Sequence, residues 1–197
     1  MANNNLTSIV IEDAAGTHQL GVDALLAAEG KLFITDDINA QSAAEIIKSM
    51  MYLADSGTPI KLYIDCCGGE IRSGLAIVDA MDILSQKVTV DVICIGKAYS
   101  MASVILAAGT KGHRSMLPHS EVMMHEPLIM NGAGGSASSV KNTAESLISV
   151  RDKISDMLSR YTGLTVKKIN SIMRANTYMS AEKAIELGIA DNIASSL

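Results

Sequence analysis

Aromatic side chains are scarce in these 197 residues: Phe, Tyr and Trp together make up 3% of the chain, and Trp is absent. The core must therefore be aliphatic, and a hydrophobic content of 48% with 12 Met supplies it. Such packing suits closely approaching helices, and at a mean hydropathy of +0.26 it also suits apolar surface kept for subunit contacts. Cysteine is limited to Cys66, Cys67 and Cys94, an odd number with two neighbours. No CxxC pair or His-rich cluster has metal-ligand spacing, so reduced thiols are expected and neither a metal nor another cofactor is called for. No apolar run approaches the roughly 20 residues of a membrane span, and the polar, uncharged Met1 to Thr7 does not read as a signal peptide. A net charge of −5 with dispersed Lys and Arg leaves no basic stripe for nucleic acid. A soluble, cytoplasmic protein is expected, with neither nucleic acid nor membrane as partner. The length suits one domain, and no linker or internal repeat divides it.

The chain reads as alternating strands and helices. Residues 1–30 are poorly defined: Leu6 to Ile11 alternates as a strand, Ala14-Ala15-Gly16 breaks it, and Leu20 to Glu29 suits a short helix. Lys31 to Thr35 is a strand, and Asp36, Asp37 and Asn39 offer turn and capping groups ahead of a helix over Gln41 to Leu53. Lys61 to Asp65 is the next strand, which completes a βαβ unit and predicts a right-handed crossover. A helix with Ile71, Leu75, Val78 and Met81 on one face follows, then a strand over Val88 to Ile95. This order predicts an α/β fold with helices covering a mostly parallel sheet. Further on, His113 to Leu117 and Glu121 to Met124 are short strands, and a glycine- and serine-rich ribbon covers Asn131 to Ser139. In the long helix over Val140 to Tyr161, Val140, Leu147, Ile154 and Tyr161 recur every seven residues. Such a stripe needs an apolar partner, either another subunit or the chain's own sheet. Gly163 stops this helix, and Val166 to Met173 and Ala181 to Leu187 are short helices, the second capped by Ser180 and stopped by Gly188.

Chemistry collects at strand ends. Ser100, in Gly96-Lys97-Ala98-Tyr99-Ser100-Met101-Ala102, stands where a strand meets a small-residue helix. A serine there is either an N-cap or a nucleophile beside unpaired amide donors. Gly68-Gly69 follows the strand that ends at Asp65, where ligands of open α/β sheets bind, and reads either as a tight turn or as backbone that a substrate approaches closely. Neither GxGxxG nor GxxxxGK[ST] is present, so the pair is no phosphate loop. Of four histidines, His125 alone falls at a strand end able to face the edge that carries Ser100.

Several motifs in fixed order then carry a resemblance: Gly68-Gly69, Ala98-Tyr99-Ser100-Met101, Met124-His125-Glu126-Pro127-Leu128, the ribbon with its long helix, Met179-Ser180-Ala181, and Glu186-Leu187-Gly188-Ile189-Ala190-Asp191. Over Lys31 to Ile193 the chain resembles the proteolytic subunits of the Clp protease family. That resemblance implies a crotonase-like fold, a serine endopeptidase, and two stacked seven-membered rings enclosing a chamber to which an AAA+ unfoldase delivers unfolded polypeptide. It implies Ser100 as nucleophile, His125 as general base, and the amides of Gly69 and Met101 as oxyanion hole, with residues 126–161 as the handle joining the rings. The position of the family's triad acid is Asn176 here, and the basic residue usual before it is Ala175. Cys66-Cys67 replaces the usual Ser-Pro, Ala102 replaces a usual glycine, and the N-terminal segment that contacts the unfoldase matches poorly. An amide at position 176 can accept from the imidazole and orient it, as in Cys-His-Asn proteases, but lacks the charge that supports imidazolium. Three readings follow: a serine peptidase of low activity, a silent ring subunit assembled with an active paralogue, and a crotonase-type acyl-CoA enzyme, which would not require the Ser100–His125 pair.

Overall fold

The structure, a computed structural model, describes residues 8–13, 16–129, 132 and 134–197. The polar Met1 to Thr7, the expected break at Ala14-Ala15, and Asn131 and Ala133 of the ribbon lie outside the described residues. The chain opens with an antiparallel hairpin, β1 (Ile9–Asp13) on β2 (Gly16–Leu20), followed by α1 (Val22–Ala28). The hairpin replaces the single expected strand, because the polar Gly16–Leu20, which shows no alternation, forms a strand only by pairing with β1.

The main body begins with β3 (Lys31–Ile34), α2 (Ala40–Asp55) and β4 (Ile60–Cys66). Asn39 starts α2 through a reciprocal cap: its side chain accepts from the Gln41 and Ser42 amides at 2.9 and 3.1 Å, while its own amide donates to Ser42 Oγ at 3.0 Å. Caps of this kind stabilise a helix by about 1 kcal/mol. Then come α3 (Ile71–Leu84), β5 (Val90–Tyr99), α4 (Met101–Ala107), β6 (Arg114–Met116) and β7 (Glu121–Met124). The long α5 (Ala137–Thr162) is capped by Ser136 and ended by Gly163 in the left-handed conformation. The chain finishes with α6 (Val166–Met173), β8 (Thr177–Ser180), α7 (Ala181–Glu186) and β9 (Asn192–Ile193). The two late strands, β8 and β9, are too short to show period-two patterning, and the sheet alone reveals them.

The sheet has the order β3-β4-β5-β6-β9, with every pair parallel, while β7 lies parallel to β5 and carries β8 antiparallel on its other side. β5 therefore changes partner along its length: Val92 to Cys94 pair with β6, and Lys97 to Tyr99 pair with β7. A register irregularity makes that possible. Ile64 pairs with Cys94, yet Cys66 pairs with Ala98, so β5 carries extra residues there and bends. Gly96 sits inside the bend, where a Cβ would come 2.5 Å from Asp65 Oδ1, and that carboxylate accepts the Lys97 amide at 3.2 Å. The strand expected to end at Ile95 thus runs on to Tyr99 and delivers Ser100 directly from its end.

The aliphatic core fills the space between sheet and helices, with Met50, Ile60, Leu62, Ile64, Val78 and Leu106 fully enclosed. Arg114 is 2% exposed and is fully partnered: it donates to both Asp191 oxygens at 2.6 and 2.8 Å and to the Ala107 and Tyr161 carbonyls at 3.1 and 3.0 Å. Burial pushes the Asp191 carboxyl up, but the guanidinium and the Arg114 and Gly112 amides outweigh it and hold it below its ordinary range. The seven-residue stripe of α5 has two fates: Ile154 is buried and Tyr161 half-buried on the body, whereas Val140 is exposed. The C-terminal half of the stripe thus lies on its own domain, and the N-terminal half stays exposed.

Candidate active site

Ser100 separates β5 from α4 in a conformation closed to most side chains. Its φ of 51° is the only positive value among described non-glycine residues, and its ψ is −122°. Holding such a conformation costs about 1–3 kcal/mol and needs the surroundings to enforce it. The enforcement is visible: the Ser100 amide donates to the Met123 carbonyl of β7 at 2.8 Å, and its carbonyl accepts from the Ser103 amide at 3.0 Å and from Ser103 Oγ at 2.6 Å. The side chain makes no capping hydrogen bond, so the N-cap role is set aside. A sharp strand-to-helix turn of this kind leaves the hydroxyl free to point out of the sheet.

That hydroxyl meets His125, whose Nε2 lies 2.7 Å from Ser100 Oγ. One parallel pairing brings them together: β7 is aligned beside the end of β5 with Tyr99 opposite Met123, and His125 follows β7 directly. The next residue is anchored, since the Glu126 amide donates to the Met173 carbonyl at 2.8 Å. Desolvation lowers the His125 pKa from its ordinary value of 6.5, which keeps the imidazole neutral and able to accept a proton at neutral pH.

Gly68 and Gly69 approach from β4. A Cβ on Gly68 would lie 2.8 Å from both Ser100 Cβ and the Tyr99 carbonyl oxygen, and one on Gly69 would lie 2.2 Å from the Ile38 carbonyl oxygen. With φ of 102° and 148°, both positions require glycine. The Ile38 amide donates to the Gly68 carbonyl at 2.9 Å and the Glu70 amide to the Ile38 carbonyl at 2.7 Å. This pairing turns the Gly69 amide away from Ile38, and that amide donates to no protein group among the described residues. Met101 opens α4, so its amide has no intrahelical acceptor. Serine, histidine and both amides border one cleft of about 1520 Å³, whose far wall is formed by α5 through Ser139, Thr143, Leu147 and Val150.

Asn176 comes beside them without bonding to them. It is exposed in the turn between α6 and β8, and no hydrogen bond connects it to His125 among the described residues. The antiparallel β7–β8 register, with Met124 opposite Thr177, carries the turn alongside His125, and Thr177 Oγ1 holds it to the Ile172 carbonyl at 2.6 Å. Of the remaining histidines, His113 is occupied by Asp91, with Nδ1 2.7 Å from Oδ1. The thiols are free: Cys67 is exposed, burial pushes the Cys94 thiol up to about 11, and Cys66 is buried. No group of His, Cys, Asp and Glu able to hold a metal occurs among the described residues. The sequence reading missed the supporting backbone of Ile38 and Met123 and the Cys66 thiol. Backbone roles leave no residue-type signal, whereas the cysteine beside the glycine pair was a signal available to be used.

The family model for Clp protease matches residues 15–196. The chain belongs to the Clp protease family. Two curated relatives from different strains of Dehalococcoides mccartyi, each named as the ATP-dependent Clp protease proteolytic subunit, are 37% identical over 192 residues, covering 96% of this chain and 94% of each relative. As a member of the Clp protease family the chain is a serine endopeptidase by class, a hydrolase on a mixed α/β fold. None of the described helices is long and apolar enough to cross a membrane.

Proposed function

We propose that this chain hydrolyses peptide bonds of unfolded polypeptides by acyl transfer, with Ser100 as nucleophile and His125 as base. The observation that carries the reading is the 2.7 Å contact between Ser100 Oγ and His125 Nε2, made from a strained strand end beside two unpaired amides. His125 takes the hydroxyl proton as Oγ attacks the carbonyl carbon, and the amides of Gly69 and Met101 receive the resulting oxyanion. The C–N bond then breaks, the imidazolium returns its proton to the departing amine, and water cleaves the acyl-serine by the same route in reverse. Asn176 enters the reading as the group that orients the imidazole through its amide oxygen, which requires its exposed side chain to turn onto the ring.

The whole chain 1–197 acts in this proposal as one cytoplasmic domain, with residues 126–161 as a handle between two heptameric rings. The exposed Val140 and Ile148 on the projecting half of α5 support a contact of that kind. The relatives are named as ATP-dependent, so an AAA+ unfoldase is the proposed partner. A fluorophosphonate tests the chemistry: mass spectrometry should find it on Ser100 and on no site in Ser100→Ala. Light scattering tests the rings, and a monodisperse monomer at micromolar concentration would refute them. A silent ring subunit is the second reading, favoured by the exposed Asn176 with no bond to His125. An assembled sample that takes no label selects it.

A further inference from the structure

We infer that Cys66 is a positioning residue, whose thiol holds the turn that presents the Gly69 amide to the reacting carbonyl; the inference rests on the peptidase reading above. Cys66 ends β4 at 1% exposure. Its Sγ accepts the Gly68 amide at 3.2 Å and donates to the Asp36 carbonyl at 3.1 Å, with the Gly68 carbonyl a longer alternative acceptor at 3.5 Å. The sulfur therefore joins the two segments that shape the oxyanion turn: the stretch after β3 that runs to Ile38, and the Gly68-Gly69 pair. Both roles are needed at once. Gly68 is buried, and its amide has no other acceptor among the described residues, while Ile38 holds the Gly68–Gly69 peptide through the Gly68 carbonyl and leaves the preceding peptide to the thiol. Without the thiol the peptide between Cys67 and Gly68 loses its restraint, and Gly68 lies against Ser100 and the Met101 amide, where a Cβ would meet them at 2.8 and 3.1 Å. Rotation of this peptide changes the backbone at Gly68 and pulls on the Ile38 bond to the Gly68 carbonyl, whose planar peptide carries the Gly69 amide. Burial pushes the Cys66 thiol up, so it remains a donor across the working range.

The role differs from simple packing in what restores it. Serine supplies the same donor and acceptor on a shorter bond, alanine supplies neither, and Thr and Val form a second pair of nearly equal volume that differ by the hydroxyl. Removing an oxyanion donor outright costs about 10²–10³ in turnover, so misplacing one should cost about 10–10². Cys66→Ala in assembled protein is therefore expected to lose about 10–10² in kcat on a short peptide with KM within about twofold, because the contact acts on the transition state alone. Cys66→Ser should recover most of that loss. If Cys66→Ala does not assemble, Cys66→Thr against Cys66→Val repeats the comparison. Unchanged kcat in the variants without a donor, a loss confined to KM, or a loss that serine and threonine fail to recover would overturn the inference.

Hydrogen exchange, read by mass spectrometry on peptides spanning residues 66–70, separates this outcome from failure of the peptidase reading. The Gly68 amide should be protected in the parent and in Cys66→Ser and should exchange faster in Cys66→Ala. A parent that neither hydrolyses peptide nor takes fluorophosphonate would defeat the peptidase reading and with it the catalytic part of the inference, while the exchange rates would still decide whether the thiol holds the turn. Equal exchange in all three proteins would overturn it on structural grounds.

Discussion

The two flanks of His125 are built in opposite ways. On the serine flank every part is fixed by the sheet: Ser100 by the Met123 carbonyl, Gly68 by Ile38, and the imidazole itself by the 2.7 Å contact. On the other flank, Asn176 is exposed in a turn whose nearest restraint is the Thr177 hydroxyl on the Ile172 carbonyl. The first flank is pre-organised by hydrogen bonds inside a close-packed body, and the second is held only at its edges. Pre-organised donors contribute most to stabilising developing charge, which places most of the expected rate enhancement on the serine flank.

Removing the nucleophile is the severest test of that contrast. Ser100→Ala should lower peptide turnover by on the order of 10⁶ and abolish fluorophosphonate labelling, since the members of such a site act as a unit. Retained hydrolysis in stopped assays on the purified variant would mean that the serine flank is not the reacting one. The oxyanion turn comes next. Gly68→Ala forces a Cβ to 2.8 Å from Ser100 Cβ at a φ of 102°, and turnover should fall by about 10²–10³, with kcat falling and assembly by light scattering retained. A variant that keeps its kcat would show that the turn can yield, and the contrast between flanks would weaken.

Asn176→Asp tests the loose flank directly. In a serine protease of unrelated fold with the same triad, replacing the carboxylate by its amide costs about 10⁴ in turnover, and a site already adapted to the amide should regain less, about one to three decades. A nearby carboxylate favours imidazolium, so the acidic limb of the pH–rate profile should also move upward. If turnover and the limb both stay where they were in folded protein, Asn176 does not orient His125. The smallest effect lies in the parent's own pH profile. Burial lowers the His125 pKa, and the base is active when unprotonated, so activity should persist below pH 6.5 and fall only as pH drops through the lowered value. A limb in kcat/KM at or above 6.5 would mean that a negative group already faces the ring.

Much of the architecture was legible because it is local. Asn39, Ser180, Gly163 and Gly188 mark helix ends through bonds made within a few residues, and each stands at the end the sequence assigned to it. The positions of Ser100 and His125 at strand ends were likewise readable from the apolar runs preceding them. Asn176 was assigned by its place in a motif, and a motif fixes order along the chain without fixing which hydrogen bonds an exposed side chain makes.

What the sequence by itself determined is the alternation of strands and helices, the aliphatic core and the residue types available for acyl transfer, because period, capping and volume are properties of short stretches. Only the tertiary structure decided that β5 changes partner at a bend where Gly96 makes room for Asp65, that β7 brings His125 to Ser100, and that the Cys66 thiol ties Asp36 to Gly68. Each of these joins residues far apart in the chain through register or through a single hydrogen bond, and neither leaves a periodic trace, since a parallel pairing is set by the whole sheet and not by either strand alone.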